Sequence, residues 1–197
     1  METTTVTLSG PVKIYMGDAL LLQLELAEQV PSRQWAFPVG NAEYPPARWY
    51  AASLHTPNGP TRHLGLDLNL DQSPWGDIER TLGLSVYAIA DGVVTYLTSN
   101  WSGVPMLIIR HEHNGQPLWV RYAHIVPVVT AGQSVTAGQT LGPFANWQTG
   151  DHLHLDMATA AYTREYLNTS IPFIDPVPVL KAQLDPTTVD AMLRKGG

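Results

Sequence analysis

At 197 residues, with 44% hydrophobic and 14% charged side chains, the chain has the size and balance of one globular domain with some additional material. Its 16 glycines and 16 prolines favour strands and turns over long helices, and a formal charge of -6 denies it the basic face that nucleic acid binding needs. With no cysteine it can form no disulfide, thiolate metal site or cysteine nucleophile, so any metal must be held by histidine and carboxylate.

In chain order, the first 30 residues lack a basic segment followed by an unbroken apolar run, because Gln23 and Glu25 interrupt the leucines; no signal peptide is read there. No stretch of the sequence reaches the ~20 apolar residues of a membrane span. Leu20, Leu22, Leu24 and Leu26 recur with a period near two, which predicts a half-buried strand, and Ser9-Gly10-Pro11 and Gly17-Asp18 supply turns before it. Residues 1–30 are therefore expected to be a short β arm or the remnant of a preceding domain. FPVGNAEYPPARWY reads as a long connection into a main domain over residues 31–180. From Ser85 the pattern is strands and tight turns: VYAIA and VVTYL flank Asp91-Gly92, a predicted hairpin, and MLIIRH and LWVRYAHI follow. The two AGQ units of TAGQSVTAGQTLG suit consecutive turns in a compact β sandwich, being too few for a solenoid. In the tail, 181–197, Asp185 as N-cap, Pro186 at the first helical position and Gly196 as stop predict one short helix. The expected class is all-β.

Three short motifs carry the chemistry. In HLHLD, His152 and His154 lie two apart in a strand-like context, so both face one side, about 7 Å apart. Read alone, this pair suits two hydrogen-bonded strand histidines as well as it suits metal ligands. In RHLGLDLNL, His63 and Asp67 are four apart, which in a straight strand means about 13 Å, too far to share an ion. The alternating Leu64, Leu66, Leu68 and Leu70 argue against a helix, so a shared ion requires a bend or bulge near Gly65. YAHI places His124 at the end of a run that reads as a strand, where a single histidine is more often structural.

Taken jointly and in order, H-x-G-x-D in its bent form, Y-A-H-apolar and T-G-x-H-L-H resemble the lysostaphin-type zinc endopeptidases, from about Phe37 to about Pro172. The resemblance implies a sandwich of antiparallel sheets with a groove over Zn2+, the metal held by His63, Asp67 and His154. It makes His124 and His152 the catalytic histidines and peptidoglycan peptides the substrate, with a secreted, periplasmic or phage-associated setting. Three ligands would leave one zinc position for water, as catalytic sites do. HLHLD stands for the commoner HLHFE, and DQSPWGDIER lacks the family's glycine run, departures that bear on groove shape.

Asp156 shares the face of His152 and His154 and is a candidate to orient a ligand ring from behind. Trp75, Trp101 and Trp147 are candidate groove walls, and Tyr50 a candidate oxyanion donor. His111 and His113 of HEH are expected at a solvent-facing hairpin end, and His55 is expected to be exposed. Two other functions use similar residues: a non-haem iron(II) oxygenase with two histidines and one carboxylate, and a non-catalytic wall-binding or regulatory module of the same fold. The first has no need of His124 and His152, and such modules typically lack ligands that this chain retains. AGQSVTAGQ also suits lipoyl-like and phosphocarrier domains, but the turn has no lysine to modify.

Overall fold

Short apolar runs broken by glycine, proline and Asn-Gly pairs build strands here. The computed structural model describes residues 12–16, 19–24, 35–58, 62–70, 83–146 and 151–194. The chain divides into two units, Met1–Ser32 and Arg33–Gly197. In the first, β1 (Val12–Met16) and β2 (Ala19–Leu24) pair antiparallel with a bulge between Ile14 and Tyr15. Leu26 lies outside the described residues.

In the second unit a 3-10 turn, Pro46–Arg48, leads into β3 (Trp49–Ser53) and then β4 (Gly65–Leu70), β5 (Ser85–Tyr87), β6 (Gly92–Trp101) and β7 (Val104–His113). The chain continues through β8 (Gln116–Ala123), β9 (Ser134–Val135), β10 (Thr140–Pro143), β11 (Leu153–Ala158) and β12 (Phe173–Ile174). It closes with α1 (Pro176–Gln183) and α2 (Pro186–Arg194). Eight strands form one antiparallel sheet in the order β3-β4-β11-β8-β7-β6-β9, with β12 on β11 beside β4, and β5 and β10 form a small second sheet. No helix among the described residues is long and apolar enough to cross a membrane.

Register assigns the faces of the large sheet, because successive side chains alternate sides. Leu66, Leu155, Tyr122 and Leu107 lie across from one another on one face, and there the sheet packs on Val86, Leu141 and Phe144 and on Val179, Leu180 and Met192 of the helices. The opposite row runs Asp67, His154, Ala123, Met106. That second face carries a smaller apolar cluster of Trp101, Met106, Ile108 and Tyr162, and beside it the histidines discussed below.

Two local readings are corrected. Asp91-Gly92 is not a hairpin: β5 pairs with β10, while β6 pairs with β7 and β9, so the chain crosses between sheets there. Gly92 serves close approach, since a Cβ would sit 2.7 Å from the Arg110 carbonyl oxygen and 2.7 Å from His111 Nδ1. The primed turn is Asn114-Gly115, with φ of 52° and 71°, closing β7 on β8. Two C-terminal helices are present where one was expected, and α1 opens on the same Asp-Pro signal as α2: Asp175 accepts from the Val177 N–H, with Pro176 at the first position. The AGQ units do form like turns. Gln133 and Gln139 accept from the N–H groups of Thr130 and Thr136, and Gly132 and Gly138 donate to Val94 and Ala88.

Candidate metal centre and active site

Antiparallel pairing of β4 with β11 sets Asp67 opposite His154. His63 precedes β4 and bridges to Thr56, while Asp67 pairs with Ser53. The segment from His63 to Asp67 is thus one residue longer than the facing segment from Ser53 to Thr56, and this surplus brings the His63 ring back over Asp67. Gly65 lies within the surplus segment. A Cβ there would fall 2.6 Å from the Leu155 carbonyl oxygen and 2.9 Å from His154 Cε1, so glycine is what lets the His154 ring lie against β4.

Three donor atoms converge as a result. His63 Nε2 is 3.1 Å from Asp67 Oδ1 and 3.1 Å from His154 Nδ1, and His154 Nδ1 is 2.9 Å from Asp67 Oδ1. Tetrahedral zinc with bonds of about 2.0–2.1 Å has ligand-to-ligand edges of about 3.3 Å, so this triangle fits the ion with little adjustment. The rings are turned for the task. His63 Nδ1–H donates to the Leu54 carbonyl at 3.0 Å and His154 Nε2–H to Asp156 Oδ2 at 3.1 Å, so the inward nitrogen of each ring would offer its lone pair to a bound metal, while without one a proton there bonds to the Asp67 carboxylate. Burial by itself would raise the Asp67 pKa, but hydrogen bonds from His154 and His63 outweigh it and hold the carboxyl far below the usual range. Burial likewise disfavours charge on His154, yet hydrogen bonds to Asp156 and Asp67 bring its pKa up to about 9. The site is therefore strongly cation-seeking.

His124 and His152 stand beside this triangle with ring centroids 4.3 Å apart, and His152 Nε2 is 3.7 Å from Asp67 Oδ1. His124 follows β8 with φ of 65°, held there by its N–H on the Pro105 carbonyl and by the Ala145 N–H on its own carbonyl. That left-handed conformation is rare outside glycine and aims the ring at the site. Burial first, then repulsion from His152 and His154, pushes the His124 pKa down to about 3. The site opens on the His152 side, whose side chain is 22% exposed against 5% for His154.

Asp156 sits behind His154, wholly buried, and three residues not singled out from the sequence meet there. Arg121 ion-pairs with Asp156 at 3.3 Å, Tyr162 donates a short hydrogen bond to Asp156 Oδ1, and Tyr166 packs on His154 with centroids 5.5 Å apart. Register alone reveals Arg121, which lies opposite Asp156 in the β8–β11 ladder. Of the other candidates, Tyr50 and Trp101 are 4% and 8% exposed. Trp101 lies beside the histidines, its ring centroid 5.7 Å from that of His154 and 6.2 Å from that of His124, and its indole N–H donates to the Arg164 carbonyl. Trp75 and Trp147 lie outside the described residues. His111 is buried rather than solvent-facing, hydrogen-bonded to the Asp91 carbonyl and the Tyr122 hydroxyl, while His113 and His55 are half-buried.

Fold and site together define a class: antiparallel β proteins with a His–Asp–His centre able to hold a metal ion. Residues 76–168 match the model of peptidase family M23. The matched segment holds His124, His152 and His154; His63 and Asp67 precede it. Among solved structures the chain is similar to lysostaphin from Staphylococcus simulans (TM-score 0.53, 22% identity), covering 75% of this chain and 55% of that one. It is also similar to LytU (0.51, 24%; 72% and 90%) and to the catalytic domain of the prophage-encoded M23 protein EnpA from Enterococcus faecalis (0.50, 21%; 72% and 95%). These likenesses establish the fold, and the chain spans little more than half of lysostaphin. No curated protein sequence matches it.

Proposed function

We propose that the chain is a zinc-dependent endopeptidase that hydrolyses peptide bonds of bacterial peptidoglycan, with His63, Asp67 and His154 holding the metal. The observation that carries this reading is the convergence of three ligand atoms within 4.8 Å of one another, with two further histidines at the open side. Zinc so held is a Lewis acid that brings the pKa of a water to about 7 and polarises a carbonyl. The two remaining histidines divide the proton work. His124, pushed down to about 3, is a poor proton acceptor and a persistent N–H donor, suited to the oxyanion that develops on the scissile carbonyl. His152, on the open side beside Asp67, is placed to take the proton of the attacking water and return it to the leaving amine. On this reading residues 31–180 form the peptidase domain, 1–30 an arm outside it and 181–197 a tail that carries the end of α1 and all of α2. A wall substrate sets the protein to work in a secreted, periplasmic or phage-associated form.

Metal analysis of the purified chain, paired with digestion of defined peptidoglycan fragments, tests the reading. One zinc per chain, cleavage abolished by a chelator and restored by Zn2+, is the expected result. Absence of stoichiometric zinc, or of any cleaved amide in the fragments, refutes it.

A further inference from the structure

Behind the metal centre lies a charged network that the proposed chemistry does not itself require. Arg121 and Asp156 are both fully buried. The Arg121 guanidinium ion-pairs with Asp156 Oδ2 at 3.3 Å, donates to the Glu165 and Thr163 carbonyls at 2.6 and 3.4 Å, and lies 4.6, 4.8 and 5.6 Å from the ring centroids of Trp101, Tyr162 and Tyr166. Burying such a pair contributes little to stability, since apolar residues of like volume fill the space as well or better. What sets this network apart is where its hydrogen bonds lead. Asp156, fixed by Arg121 and by the Tyr162 hydroxyl, receives His154 Nε2–H. Tyr166, four residues beyond Tyr162, accepts from the Leu64 N–H at 3.0 Å, next to His63 in the chain.

We infer that Tyr162 and Tyr166, anchored on Arg121, are positioning residues that clip both histidine ligands into their metal-binding orientation, one through Asp156 and one through the backbone at Leu64. This rests on the metal-site reading above. Without the Tyr162 hydroxyl, Asp156 loses one of its restraints, and the His154 ring gains freedom to turn Nδ1 away from Asp67. Without the Tyr166 hydroxyl, the surplus segment that carries His63 keeps only the hydrogen bond from Arg62 to the Leu167 carbonyl, at 3.1 Å, as a tie to this stretch. Outer partners of this kind set metal affinity as well as shape.

Zinc affinity, measured by competition with a chromophoric chelator, and the visible spectrum of the Co2+-loaded protein test the clip. The variants are Tyr162→Phe, Tyr166→Phe and Arg121→Lys, with Ile109→Val in the opposite-face core as a control for lost stability. Tyr162→Phe is expected to weaken zinc binding about tenfold to a hundredfold and to alter the cobalt bands. Tyr166→Phe weakens it less, and Arg121→Lys, which keeps the charge but cannot bridge carboxylate and carbonyls together, weakens it too. Ile109→Val lowers stability with zinc affinity unchanged. Folded tyrosine variants that bind zinc within about twofold of the parent, with the cobalt spectrum intact, overturn the clip while the metal site stands. A parent chain that binds no stoichiometric zinc overturns both.

Discussion

Each histidine of the site has a neighbour that fixes its task, and substitutions should separate the tasks. His154 loses the most when truncated, because its Nδ1 faces Asp67 and His63 while its Nε2 is committed to Asp156. His154→Ala is expected to lose metal and turnover together. His124→Ala and His152→Ala should keep full zinc by metal analysis yet lose turnover by about 10²–10⁴-fold, the usual worth of a positioned acid or base. A normal rate in either variant removes that histidine from the mechanism. The resemblance to lysostaphin-type endopeptidases, rather than residue type alone, singles out His63, Asp67 and His154 in the sequence, and their donor atoms converge in the fold. Residue types do not reveal what stands behind them. Arg121 reads as an ordinary strand residue until the β8–β11 register puts it opposite Asp156, and sequence periodicity contains no register between distant strands.

The element scale explains both the successes and the failures of sequence reading. A shared ion for His63 and Asp67 required a departure from regular pairing near Gly65, and the ladder has one surplus residue there, beside the Thr56–His63 bridge. The Asp91-Gly92 reading failed because a glycine needed for close approach of β7 looks identical, in sequence, to one needed for positive φ. The sequence does not predict helix α1 although Asp175-Pro176 is a sound start, because its short, proline-bearing run has no clear helical period. Gly65→Ala tests the element most directly. The added methyl meets a backbone carbonyl at 2.6 Å, which cannot swing away as a flexible side chain can. A stability loss of about 1–3 kcal/mol by denaturant unfolding is expected, with weakened zinc binding because the displaced neighbour is His154. A variant as stable as the parent would show that β4 and β11 separate without cost. Asp175→Ala, by contrast, should cost only about 1 kcal/mol and leave zinc affinity alone, since the cap it removes lies on the helices.

At the scale of the whole molecule, the connection between the two sheets is tied down by one buried histidine, and this predicts how the fold responds to acid. His111 Nδ1–H donates to the Asp91 carbonyl at 3.0 Å, and Nε2 accepts from the Tyr122 hydroxyl at 3.0 Å, which in turn accepts from the Ile89 N–H at 3.1 Å. The neutral ring satisfies every partner; a second proton on Nε2 would face the Tyr122 hydroxyl as donor against donor. Burial therefore pushes the His111 pKa down to about 4 from an ordinary 6.5. Because the unfolded chain takes up the proton first as pH falls, this contribution to stability is complete above about pH 6.5 and is lost on descending towards the folded value. The loss amounts to about 2 kcal/mol by about pH 5 and about 3 kcal/mol by about pH 4. His154 and Asp67 titrate in the same molecule, so the comparison is made between the metal-free parent and metal-free His111→Gln, which shares every other group. Glutamine can donate and accept but cannot ionise, so the variant is expected to be less stable than the parent near neutrality and to close that gap as pH falls, read from urea midpoints. A gap that stays constant from about pH 7 to about pH 4 would mean that Tyr122 reorients freely and that the connection between the sheets does not depend on the charge state of His111.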